Sequence, residues 1–228
     1  MGFEQDIAAL VTANDDLTAV VDDQIEAIGA RVTLGEQQVI TVIDTARGEM
    51  PFYRLTRNQR LLGTDQHIPD DWNSGAGTTY TLVQLVAADK IWADRTVEER
   101  ELLTAMGKEG LRYIPISFNM WRMDWTTKDT AHTMHQHVNV STPSTLAGMT
   151  KMLSGAIGAY WANGATNKWT LSGQAIGSWP NGYTYCHPVK QSTSGSMLFA
   201  LPAAIVGNVP LDPTKWGIFP YIGDTQHD

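Results

Sequence analysis

The chain has one cysteine, Cys186, among 228 residues. No intrachain disulfide is possible, so the fold must rest on burial alone. No apolar run reaches membrane-spanning length, which predicts a chain without a transmembrane helix. The start, MGFEQDIAALV, lacks the basic residues and apolar core of a signal peptide. Asp6 stands where a myristoylation signal needs Ser or Thr. Basic residues are scarce: 16 Lys and Arg against 24 Asp and Glu leave a net charge of −8. That balance argues against non-specific nucleic-acid binding. Neither a phosphate loop nor a dinucleotide fingerprint occurs.

The deficits are unevenly spread. Residues 1–50 carry ten acids and two bases, and residues 51–137 carry eleven acids and ten bases. Residues 138–228 contain no Glu and no Arg, only three Asp and four Lys. The same stretch holds four of the eight Trp and four of the seven Tyr. These contrasts predict three parts: a stalk or attachment segment at 1–50, a mixed shoulder at 51–140 and a head at 141–228. Glycoside cleavage needs two carboxyl groups flanking the bond. The head offers only Asp212, Asp224 and Asp228. A structural or binding protein is therefore expected rather than an enzyme, with a sugar-cleaving tailspike as the distant alternative.

What the N-terminus does have is a long apolar stripe. It runs Phe3, Ile7, Leu10, Asn14, Leu17, Val21, Ile25, Ile28, Val32, Gly35, Val39, Val42, Ala46. The steps alternate four and three, with one stutter at Leu17–Val21–Ile25. A narrow stripe sustained for about six heptads is a coiled-coil seam. Asn14 on the seam trades stability for register, and the β-branched seam residues permit three strands. A homotrimer is expected, held by Ile7, Leu10, Asn14, Leu17, Val21, Ile25 and Ile28. The competing reading is a hairpin of two shorter helices. Gly29 and Gly35 weaken the second half, and Thr33-Leu-Gly-Glu36 has the form of a capping box.

Met50-Pro51 ends the helical pattern, and residues 63–79 read as loop. Tyr80–Val86 is a strand, and Thr96 caps a short helix that Gly107 stops. Residues 113–125, YIPISFNMWRMDW, read as a strand buried on both faces or used in a subunit contact. Leu146, Met149, Leu153, Ile157, Tyr160 and Trp161 predict a helix that begins near Pro143. Short strands and turns follow. The fold class expected is α+β: a trimeric coiled coil, then a mixed α/β shoulder, then a β-rich aromatic head.

HTMHQHVNV, residues 132–140, holds three of the six histidines. In an extended segment His135, His137 and Asn139 share one face, and His132 falls on the other. Two imidazoles fall short of a transition-metal site, but three chains around an axis would offer six. His135 and His137 are the metal candidates, with one iron or other transition ion per trimer. The competing reading is a metal-free pair of strand histidines. Cys186-His187 reads as core and turn.

The N-terminal coil, the His-x-His and the Gly- and aromatic-rich tail together resemble a bacteriophage tail fibre. The long tail fibres of T-even phages are similar in their His-x-His repeats, which bind iron on a threefold axis. YIPISFNMWRMDWT after a coil resembles small structural fibre proteins of phage particles. The resemblance implies a virion location, tail, baseplate or collar proteins as partners, and attachment to a host glycan or protein. A neck or collar fibre that binds no receptor is the alternative within the class. Aromatic rings beside amides suit sugars. Trp169, Trp179, Asn181, Tyr183 and Tyr185 are accordingly the receptor candidates, against the plainer reading that such rings fill a core.

Overall fold

Charged and amide side chains between the seam residues keep the first fifty residues from collapsing on themselves, and they form one helix. α1 spans Phe3–Glu49 without interruption, about 70 Å at 1.5 Å per residue. The second-helix start expected at Thr33 is absent. The Thr33 hydroxyl donates to the Gly29 carbonyl inside α1, as Thr12, Thr18 and Thr41 do one turn back. The structure, a computed structural model, describes residues 2–49, 52–63, 67–128, 132–138, 142–177 and 184–222, with the backbone alone at 43–49 and 184–185. No described helix is long and apolar enough to cross a membrane.

The chain divides into two compact units, Met1–Pro51 and Phe52–Asp228. The second unit is built on one five-stranded sheet. Its strands are β1 (Thr78–Val86), β2 (Phe118–Trp125), β4 (Ser144–Ser154), β6 (Thr170–Ile176) and β9 (Gly195–Val206). They lie in the order β1-β2-β9-β4-β6, and every ladder is antiparallel. Short pairs complete it: β3 (His137–Val138) with β7 (Thr184–Tyr185), and β5 (Ile157–Gly158) with β8 (Val189–Lys190). The expected shoulder followed by a separate head is therefore corrected. β1 and β2 come from the presumed shoulder, β4, β6 and β9 from the presumed head, and they share hydrogen bonds in one sheet.

The expected helix after Pro143 is also corrected, because residues 144–154 form β4. Leu146 and Met149 lie three apart, yet they point into different cores on opposite faces of the sheet. Both faces are covered, so no polar alternation marked the strand. In β9 the register shifts opposite Ala147–Met149. Leu201 there takes a left-handed φ of 53°. Pro202, which cannot donate to a ladder, sits in that irregularity.

One face of the sheet packs against α2 (Val97–Ala105). Leu102, Leu103 and Met106 meet Phe118, Met120, Met149 and Leu198 there. The helix carries the expected capping box: Thr96 accepts from the Glu99 N–H, and the Glu99 carboxylate accepts from the Thr96 N–H. Glu99 is fully buried, and its charge is met by Lys90 at 2.7 Å and Arg95 at 3.6 Å. The other face is roofed by loops. Leu61, Trp72, Met134, Trp161 and Cys186 lie on Trp121, Trp125, Leu146 and Phe199. The Leu61 carbonyl accepts from both the Asn119 amide and the Trp121 indole. The roof carries the histidines.

Candidate functional site

Burial alternates along residues 134–138 as the sequence implies, but Thr133 is buried next to Met134, where the chain bends. Met134, Gln136 and Val138 are buried beneath the roof, His135 is half-buried and His137 is exposed. The segment is zipped to residues 184–190. His137 pairs with Tyr185 and Val138 with Thr184. The Cys186 N–H donates to the Gln136 carbonyl at 3.1 Å, and the Thr133 hydroxyl to the Pro188 carbonyl at 3.0 Å. On its other edge His135 exchanges both backbone hydrogen bonds with Asn73, at 2.9 and 3.0 Å. The Gln136 amide clamps the Arg57 backbone, accepting from its N–H and donating to its carbonyl.

This zipper contains an irregularity that regular alternation does not foresee. An unbroken ladder through His137–Tyr185 would place His132 opposite Lys190, but His132 bridges Val189 instead. A slip of one residue exchanges the faces of a strand. His132, expected on the far side, thereby joins His135. The opposing segment brings a fourth ring, His187, which had read as core and turn. It is 6% exposed.

The four rings form one group. Centroid separations are 4.5 Å for His132–His187, 6.3 Å for His135–His187, 6.4 Å for His132–His135 and 5.8 Å for His135–His137. The Tyr160 ring stands 5.1 Å from His187. It is set there by two successive left-handed residues, Ala159 and Tyr160, with φ of 61° and 48°. Such conformations cost about 1–3 kcal/mol each in residues with a side chain. The His135 Nδ1 lies 3.1 Å from the Thr133 carbonyl, and the His187 Nδ1 lies 3.2 Å from the Pro188 carbonyl. Each contact needs a proton on Nδ1, and in a neutral ring the lone pair then lies on Nε2. Burial, with lesser effects from His132 and His135, lowers the His187 pKa to about 4, so its ring is neutral at pH 7. Among the described residues no three His, Cys, Asp or Glu side chains are placed so that they could hold a metal ion without movement.

Cys186 is fully buried, and burial pushes its thiol up to about 12. It is no nucleophile at neutral pH. The receptor candidates fare differently from the histidines. Trp169 is 7% exposed, and its indole donates to Glu98. It forms one wall of an open cleft of about 800 Å³, shared with Trp92, Arg100, Glu101, Lys151 and Lys168. Lys151 is held there by Glu98 and Glu101 at 2.9 and 2.6 Å. Trp179, Asn181 and Tyr183 lie outside the described residues, as do Asn139 and the side chain of Tyr185.

The seam residues Ile7, Leu10, Leu17, Val21, Ile25 and Ile28 of α1 are 46–71% exposed. Asn14 is exposed among them.

No family model matches the chain, and no curated protein matches it significantly. Function is therefore read from the geometry.

Proposed function

We propose that the protein is a homotrimeric fibre subunit of a phage virion, which assembles through α1 and attaches the particle to a host surface without turnover. The observation that carries this reading is the exposed seam. Ten large apolar side chains of the seam, from Phe3 to Val42, are at least 46% exposed. Isolated helices are marginal in water, and burying one Leu, Ile or Val contributes roughly 1.5–3 kcal/mol. A helix of this length with that pattern gains its stability from other helices. Three copies of α1 cover the seam, and Asn14 fixes their register.

Attachment fits a chain whose second unit displays an amphipathic cleft walled by Trp92 and Trp169 and lined with fixed charges. The test is binding of the full-length protein to intact host cells, beside a variant carrying Leu10→Asp and Ile25→Asp. Avidity from three linked sites predicts a loss of 10²-fold or more on disassembly. Equal binding by both proteins contradicts the reading. An assembled protein that binds no cell removes the attachment role and leaves the collar fibre.

A further inference from the structure

We infer that His132, His135 and His187 of a single chain form a site for a divalent first-row transition ion of the zinc type. A fourth position is left open, with His137 beside it. An imidazole bound through one nitrogen holds its ring centroid roughly 3.2 Å from the ion, so two such rings stand about 4.6 Å apart at a right angle and about 5.3 Å at a tetrahedral angle. His132 and His187, at 4.5 Å, already meet that spacing. The two longer separations, 6.3 and 6.4 Å, share one ring, His135. A shift of about 1 Å by that half-buried ring closes the triangle.

The hydrogen bonding is of the kind that ligating histidines use. A metal-bound imidazole hands its other N–H to a carbonyl or carboxylate, which fixes tautomer and orientation. His135 does so to Thr133 and His187 to Pro188. The backbone is also held. Asn73 and the 184–190 segment pin 132–138 from both edges. Gly75 is packed so closely on the His132 carbonyl that a Cβ could not be placed there. A set of imidazole ligands without a carboxylate favours zinc, nickel or copper over magnesium or calcium.

This site differs from an ion shared on a threefold axis by His135 and His137. It uses His187, gives one ion per chain and does not depend on assembly. The full-length protein, stripped with a chelator and dialysed, is titrated with Zn²⁺ by calorimetry, and bound ions are counted by native mass spectrometry. One ion per chain is expected. The His132→Ala and His187→Ala changes should each weaken binding by at least about a hundredfold, and His137→Ala by about tenfold or less. If His187→Ala does not fold, as judged by circular dichroism, the exposed His132 decides. One ion per three chains overturns the site. So does loss of the ion in His137→Ala with retention in His132→Ala, or no uptake of Zn²⁺.

Discussion

α1 and β4 carry the same spacing of apolar residues and put it to opposite uses. Ile7 and Leu10 of α1 stand three residues apart and are 46% and 71% exposed. Leu146 and Met149 of β4 stand three apart and are fully buried on opposite faces of a sheet. The intervening residues decide between these outcomes. Along the α1 stripe they include Asp15, Asp16, Asp22 and Asp23, which leave a single apolar stripe on a helix. In β4 they are Ala147 and Gly148, small and apolar, which let a strand be covered from both sides. The first unit leaves its apolar stripe exposed, the surface that the proposed assembly would cover, while the second buries Leu146 and Met149 within its own cores.

That contrast can be broken most sharply in α1. Leu10→Asp with Ile25→Asp should abolish assembly on gel filtration, while the near-UV spectrum of the second unit stays unchanged. Loss of that spectrum would mean that the two units depend on each other. The reciprocal change is Trp121→Ala, which empties the centre of the roofed core. It should cost about 3–5 kcal/mol in urea unfolding of the second unit and leave assembly intact. Under α2, Glu99→Gln leaves Lys90 and Arg95 facing an uncharged amide. A loss of about 1–3 kcal/mol is expected by the same measurement. Thr96→Ala removes only the cap of α2 and should cost about 1 kcal/mol. At the small end, Cys186 should react with a thiol reagent no faster than the second unit unfolds, because its thiol is buried and protonated. Rapid labelling in the native state would show that the roof opens.

The elements legible in the sequence were those with a local signature. The helical period of α1 was one, the capping box at Thr96 another, and the runs at 80–86 and 113–125 two more, although the second is a strand only from Phe118. The misread stretch was β4, because a strand buried on both faces loses its period of two and Leu146, Met149 and Leu153 then fall at helical steps. The division into shoulder and head followed charge. Charge reports what faces water, however, and not which strands pair. Half of the histidine group was legible, since His135 and His137 share a face by alternation alone. His132 was assigned to the other face because a one-residue slip leaves no trace in composition. His187 joins from fifty residues downstream through a pairing that no local pattern announces. The stretch around it read only as short strands and turns, which name no partner.

The central proposal is that copies of the same chain cover α1. Native mass spectrometry of the full-length protein tests it most directly. The expected result is a species near three times 25.1 kDa, which falls to the single-chain mass in the Leu10→Asp, Ile25→Asp variant. A single-chain mass for the unaltered protein would contradict it, leaving the exposed seam of α1 to a partner of another kind.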